Sequence, residues 1–246
     1  MFPEAPPPKK KNLVCLTYGV TIGLLIIGQL QVLACVELDY LNLVTIKHVY
    51  ISLGTFFISF FSIQLYGFFY HILVKKPWYV RFLAGFLTFE ATTVAIMKPT
   101  RNPTYLCIII SIILTYLMML IGWIYGNVAS KYRKGCFTSR LRAILRSEQI
   151  YALTCFGIIV CAGMKRTGFE LCLMLVCTMI SNVFIVIFAA SIRRHYFYRE
   201  YIVSDYIFIG QLYYLNCYTL CMSYVWTLSC LLKFVNWDAM ALNIIF

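Results

Sequence analysis

The stretch Tyr206-Ile207-Phe208-Ile209-Gly210-Gln211-Leu212-Tyr213-Tyr214-Leu215-Asn216-Cys217 opens the last and longest apolar run of the chain. A basic, aromatic segment with Arg193, Arg194 and Arg199 precedes it. The amides Gln211 and Asn216 lie inside the run, and polar side chains are costly in lipid unless they face other helices or a water-filled cavity. We therefore expect this run to form a transmembrane helix that lines the interior of a bundle and any site within it.

The composition is that of an integral membrane protein. Hydrophobic residues make up 62% of the 246 residues, charged residues 12%, and the mean hydropathy is +0.82. A soluble chain carries about 25% charged residues. The apolar runs do not alternate with polar positions, which argues against a transmembrane barrel. Helices are then the remaining way to satisfy the backbone in lipid.

Seven apolar runs can be drawn in the sequence. They cover residues 13–36, 49–74, 78–97, 104–128, 147–164, 169–190 and 206–232. Crossing the hydrocarbon core takes about 20 apolar residues; six runs meet this requirement, and the fifth is shorter and begins with Ser147-Glu148-Gln149. We predict an all-α bundle of seven transmembrane helices over residues 13–232, after a disordered cytosolic tail at 1–12 and before a short C-terminal tail at 233–246.

The basic residues predict the orientation of the bundle. Fifteen of the 21 Lys and Arg residues lie in the N-terminal tail and the even-numbered connections, and six lie on the other side. An excess of Lys and Arg marks the cytosolic side. The N-terminus is thus expected in the cytosol and, with seven spans, the C-terminus outside or in a lumen. If the fifth or seventh run is re-entrant, the C-terminus lies in the cytosol instead. The net charge of +12 is interpreted as topology, with no nucleic acid as partner.

Glu90 is the one acidic residue deep inside an apolar run by sequence. A charge there costs about 2.5–3.5 kcal/mol on insertion scales. Two interpretations stay open: an ion or proton relay, or a neutral carboxyl bonded to a neighbouring helix. Glu90, Gln211 and Asn216 together form our candidate intramembrane polar site.

Six amides inside the runs are expected to join helices rather than to bind a ligand. They are Gln29, Gln31, Gln64, Asn182, Gln211 and Asn216. Small residues at Ala189-Ala190-Ser191 should permit close helix approach for the same purpose.

Sequence signatures of catalysis are missing. The chain has no H-E-x-x-H, no G-x-S-x-G and no phosphate-binding glycine loop. Its 11 cysteines and three histidines lack the spacing of a metal site. We expect neither an enzyme nor a cofactor.

Two stretches resemble the transmembrane Bax inhibitor motif family in its Lifeguard branch. The first is Lys76-Pro77-Trp78 with Leu87-Thr88-Phe89, similar to a basic loop with Pro-Trp before the third span. The second is Asp205-Tyr206-Ile207 with Leu212-Tyr213-Tyr214-Leu215-Asn216, similar to an acidic-Tyr-Ile motif before Leu-x-Ile-Tyr-x-Asp. The seven runs and the length agree with this resemblance.

The departures from the family pattern bear on function. Members with two aspartates, in the sixth and last spans, are thought to gate a calcium leak with pH through that carboxylate pair. The corresponding positions here are Ala189 and Asn216, which cannot form the pair. A divergent chain of this kind most resembles the seven-transmembrane proteins of cytomegaloviruses, some of which are implicated in immune evasion.

The resemblance and the lost pair lead to two hypotheses. The first is a viral modulator of host membrane proteins, acting in immune evasion, trafficking or cell-death control. The alternative is a calcium-permeable leak channel, with Glu90 and the polar face of Gln211 and Asn216 as its lining. The expected residence is the endoplasmic reticulum, Golgi-derived membranes or the cell surface, as a monomer or in an oligomer.

Overall fold

The computed structural model describes residues 10–37, 49–97, 104–129, 140–163, 167–193 and 206–245. Within these ranges the chain forms seven α-helices and no strand, which confirms the all-α prediction for this part of the protein. The helices are α1 (Lys10–Glu37), α2 (Val49–Leu73), α3 (Trp78–Met97), α4 (Tyr105–Ala129), α5 (Arg140–Gly163), α6 (Thr167–Arg193) and α7 (Tyr206–Ile245).

Three helices extend beyond the predicted apolar runs. Helix α1 begins at Lys10, so the last three residues of the predicted disordered tail are helical. Helix α5 begins at Arg140, seven residues before the predicted run, and α7 continues to Ile245 through the predicted C-terminal tail. Apolar composition marks the part of a helix that suits lipid, whereas Lys, Arg and Leu are good helix formers and prolong it outside. Residues 1–9 lie outside the described ranges.

Five of the helices are long and apolar enough to cross a membrane, which makes the chain a multi-pass membrane protein. These candidate spans are Leu13–Ala34, Gly54–Leu73, Tyr105–Val128, Gly168–Ile192 and Tyr206–Val235. Helices α3 and α5 are outside this set of described candidate spans; they carry Arg81 and Glu90, and Arg146 and Glu148, within their length. The prediction of seven spans therefore stays a prediction for α3 and α5.

Helix α7 occupies the centre of the bundle. Its residues are buried without interruption from 207 to 223. Helices α1, α3, α4, α5 and α6 pack directly against it, and α2 reaches it through Tyr66 and Tyr70, whose rings contact Phe208. Helix–helix contacts arrange the outer helices in the order α1, α3, α2, α5, α6; α4 packs on α6 and α7 and bonds to α1 through Tyr116. A helix that is apolar on all sides is expected in such an interior position.

Small residues bring two helix pairs into close contact. In α4, a Cβ at Gly122 would lie 3.1 Å from Cβ of Ala189 in α6, and one at Gly126 would lie 3.2 Å from the Ala189 carbonyl oxygen. In α7, a Cβ at Gly210 would lie 2.9 Å from Cβ of Val20 in α1. The expected close approach at Ala189 is confirmed, and its partner is the Gly-x-x-x-Gly pattern of α4.

Backbone hydrogen bonds and Pro77 define the end of α2 and the start of α3, on the predicted cytosolic face. The turn after α2 is closed by a hydrogen bond from Lys76 N to the Leu73 carbonyl at 2.9 Å. Pro77 then precedes α3, and its carbonyl accepts from Arg81 N at 3.2 Å. Trp78 and Tyr79 follow and are 62% and 60% exposed, as expected for aromatic side chains at a membrane interface.

Candidate intramembrane site

Gln211 is fully buried and joins three helices. Its Oε1 accepts from the Tyr66 hydroxyl of α2 at 2.9 Å, and its Nε2 donates to the Phe82 carbonyl of α3 at 3.2 Å. A Cβ at Gly85 of α3 would overlap the Gln211 carboxamide, so the glycine makes room for the amide. Gln211 is therefore a structural cross-link between α2, α3 and α7.

Asn216 is also buried, but it faces a different helix. Its Nδ2 donates to Ser147 Oγ of α5 at 3.0 Å and to the Leu212 carbonyl one turn earlier at 2.9 Å. Asn216 thus joins α7 to α5, on a contact that Gln211 does not share.

Glu90 lies on α3 and bonds to α1. Gln31 Nε2 donates to Glu90 Oε1, and Glu90 as a residue is partly exposed. Three residues later, the hydroxyl of Thr93 bonds to the hydroxyl of Tyr214 in α7, so α1, α3 and α7 meet near this level. Of the two interpretations of Glu90, the bond to a neighbouring helix is observed.

The three candidate residues do not converge on one polar site. Gln211 bonds to α2 and α3, Asn216 to α5, and Glu90 to α1. Their roles in the described structure are pairwise contacts between helices.

All six amides singled out in the sequence bridge helices, as expected for interhelical hydrogen bonds. Besides the bonds of Gln211, Asn216 and Gln31 just described, Tyr116 in α4 donates to Gln29 in α1 at 3.2 Å. Gln64 in α2 donates to Glu148 in α5. The Tyr224 hydroxyl in α7 donates to Asn182 in α6.

Two further buried carboxyls were not expected from the sequence. Glu148 is 3% exposed and Glu170 is 4% exposed, so both are more deeply buried than Glu90. Both residues stand near the start of an apolar run, and Glu148 was placed in the polar start of the fifth run. Because α5 begins at Arg140, Glu148 lies two turns inside the helix, where Gln64 meets it. A predicted start of α5 at Arg140 instead of Ser147 would have placed Glu148 inside the helix and identified it as a buried carboxyl.

The family-motif positions are dispersed over the bundle. Pro77 lies in the exposed turn before α3 and Trp78 is the first residue of that helix; Tyr206 is the first residue of α7, and Asp205 lies outside the described residues. Ala189 packs against α4, while Asn216 bonds to α5. The two positions of the lost aspartate pair thus contact different helices.

An apolar groove runs along the seam between α1 and α3, and we call it the α1–α3 groove. Its volume is about 480 Å³. Its lining residues are Cys15, Leu16, Gly19, Val20, Gly23, Leu24, Ile27 and Phe82. A Cβ at Gly19 or Gly23 would meet no atom within 4 Å, so both glycines leave open space on the surface of α1.

Among the described residues, no group of three or more His, Cys, Asp and Glu side chains is placed to hold a metal ion. No protein-family model, curated protein or solved structure matches the chain. The resemblance drawn from the Pro77-Trp78 and Asp205-Tyr206 motifs therefore rests on those residues alone.

Proposed function

We propose that this protein is a membrane-embedded modulator that binds other membrane proteins side by side in the bilayer and alters their transport or surface display. One contrast supports the proposal. The amides inside the bundle are used in bonds between its own helices, whereas Glu90, which bonds to Gln31 of α1, is an acidic residue that is only partly buried. Acidic groups at membrane depth are usually functional or paired with a polar partner.

The resemblance to cytomegalovirus proteins extends this proposal to host proteins. An infected cell displays its activating ligands through the reticulum, the Golgi apparatus and the surface. A multi-pass protein resident in any of these membranes can meet such ligands during transport. Retention or diversion needs only lateral contact, and a catalytic centre is not required.

A calcium leak is the alternative, and the contacts favour it less. A conducting path needs polar or charged groups that follow one another through the membrane. Gln211, Asn216 and Glu90 bond to different neighbours instead, and the described part of α7 is packed by buried aromatic and aliphatic residues such as Tyr213 and Leu220.

Quantitative surface proteomics in cells with and without the intact chain tests the proposal. We expect a small set of host membrane proteins to fall at the surface while their synthesis is unchanged. An unaltered surface proteome would refute it. Store calcium is measured in the same cells, and release that disappears in Glu90→Gln with an unchanged surface would favour the leak.

A further inference from the structure

Glu90 lies at the edge of the outward-facing side of α3, is partly exposed, and bonds to Gln31 of α1. Leu83, Leu87 and Val94 are 56%, 61% and 42% exposed. With Glu90 they have the spacing of one helical face, four, three and four residues apart. Phe89, on the opposite side of the helix, is 1% exposed. A partly exposed acidic side chain therefore shares the helical register of three exposed aliphatic residues, and it borders α1.

Glu90 lies near the middle of α3, twelve residues after its start and seven before its end. Its partner Gln31 is three residues from the end of the candidate span Leu13–Ala34 and two residues from Gln29, which bonds to Tyr116 at the centre of the candidate span Tyr105–Val128. On α3 itself, the nearest basic residue in the described ranges is Arg81, nine residues earlier and about 13 Å away along the helix. The carboxyl at this depth thus has an amide beside it, and its own helix brings no cation close.

The α1–α3 groove leads along the same seam toward this carboxyl. Its last residue on α1, Ile27, is one turn before Gln31. Gly19 and Gly23 form a Gly-x-x-x-Gly pattern whose surface is open. The same pattern at Gly122 and Gly126 is covered by α6 within this protein. Such a pattern lets a second helix approach its backbone closely.

We infer that the α1–α3 groove receives a transmembrane helix of a partner protein that carries one Lys or Arg at mid-membrane depth, and that this cation pairs with Glu90. The inference rests on the proposed function and names the chemistry of the partner. Charge complementarity decides the class, because a basic side chain in lipid needs an acidic or carbonyl partner. The low dielectric constant strengthens such a pair once it forms.

A second copy of this chain fits the groove less well. Its five candidate spans hold a single Lys or Arg, Lys233, which lies two residues from the end of its span. No candidate span of this chain therefore supplies a cation at the middle of the membrane.

Single-span reporter helices test the inference in membranes that contain the full chain. The reporters share one leucine-alanine segment and differ at its central residue, which is Lys, Leu or Glu. Proximity labelling or co-purification in mild detergent measures association. We expect the Lys reporter to associate about tenfold more strongly than the Leu reporter, a difference of about 1.4 kcal/mol.

Two variants and one control locate the contact. Glu90→Gln keeps the size of the side chain and should lower Lys-reporter association to the Leu level, and Glu90→Lys should prefer the Glu reporter. Gly19→Leu with Gly23→Leu fills the groove and should weaken association without disturbing the fold, since neither position meets a neighbour. The matched control is Glu148→Gln, which alters the buried Gln64–Glu148 pair and should leave association unchanged.

Equal association of the Lys and Leu reporters, or no effect of Glu90→Gln on it, would overturn the inference. The surface proteome separates this failure from that of the proposed function. If the wild-type chain and Glu90→Gln lower the surface amounts of host proteins equally, the proposed function holds but does not depend on the Glu90 contact. A surface unchanged by the wild-type chain would remove the proposed function itself.

Discussion

At Gln211, one carboxamide holds three helices together, and its surroundings are shaped around it. The Tyr66 hydroxyl and the Phe82 carbonyl satisfy both ends of the amide, and Gly85 provides the space. Hydrogen bonds between transmembrane helices are modest individually, on average about 0.6 kcal/mol. We expect the close packing around the amide to contribute more to the stability of the bundle than these hydrogen bonds, because a well-packed core does not accommodate an added methyl group without strain.

Gly85→Ala tests this packing. The new methyl group would overlap the Gln211 carboxamide and displace it from its bonds to Tyr66 and Phe82, so we expect a loss of about 1–3 kcal/mol of stability. Thermal unfolding of the detergent-purified protein measures it. The control is Gly54→Ala in α2, whose Cβ would meet nothing within 4 Å. If the Gly85→Ala protein has the same melting temperature as the Gly54→Ala control, the close contact between Gly85 and the Gln211 carboxamide is contradicted.

Aspartates introduced at positions 189 and 216, where the motif resemblance would place a carboxylate pair, should not form such a pair. A carboxyl at position 189 would enter the contact where Ala189 meets Gly122, while a carboxyl at 216 would face Ser147 on α5. We expect Ala189→Asp, alone or with Asn216→Asp, to lower the yield of monodisperse protein sharply, whereas Asn216→Asp alone has the smaller effect. A double variant as stable as wild type and newly permeable to calcium would refute this expectation.

At the scale of helices, the bundle distinguishes glycines that hold a neighbour from glycines that lie open. Gly122 and Gly126 bring α4 within contact of α6, and Gly210 brings α7 against α1. Gly19 and Gly23 have the same spacing as the α4 pair but no neighbour. The role of a glycine pattern is thus set by the helix opposite it.

We therefore expect opposite outcomes for the same substitution in two helices. Leucine at positions 122 and 126 should separate α4 from α6 and prevent assembly, since a Cβ alone lies within 3.1–3.2 Å of Ala189. Leucine at 19 and 23 should leave the melting temperature within a few degrees of wild type. Size-exclusion profiles and thermal unfolding distinguish the two, and equal damage from both pairs would show that the α1 glycines are covered.

At the scale of the whole molecule, two helices decide the topology. With α3 and α5 crossing the membrane, an N-terminus in the cytosol places connection 98–103 in the lumen and connection 130–139 in the cytosol. With only the five candidate spans crossing, those two sides are exchanged. Lys131, Arg133 and Lys134 favour a cytosolic 130–139 and hence seven spans.

Glycosylation mapping checks this prediction. An Asn-Gly-Thr acceptor flanked by Gly and Ser residues is inserted into each connection in turn; the natural Asn102-Pro103-Thr104 is not an acceptor because of its proline. We expect glycan addition at 98–103 and none at 130–139. Insertion at 38–48 is the control and should be glycosylated in both topologies. The reverse pattern at the two test positions would establish five spans.

The sequence by itself determined the membrane character, the all-helical class and the interior position of the last helix. Apolar length and the absence of alternation suffice for these, because lipid satisfies no backbone hydrogen bond. It also determined that the amides join helices, since an unpaired amide is unfavourable in lipid wherever it lies. The sequence did not predict where α1 and α5 begin or where α7 ends, because these helices continue into polar residues that composition assigns to tails and loops.

Only the tertiary structure decided which groups meet. Residues 90 and 31, 64 and 148, and 211 and 66 are separated by 59, 84 and 145 positions in the chain, and no local pattern joins them. The same is true of Ala189 and Asn216, which the packing of α6 and α7 turns toward different neighbours. The sequence of a helix shows which of its faces is apolar. The rotation and depth at which two helices meet depend on the side chains of both helices. For this reason the α1–α3 groove could be found only in the fold.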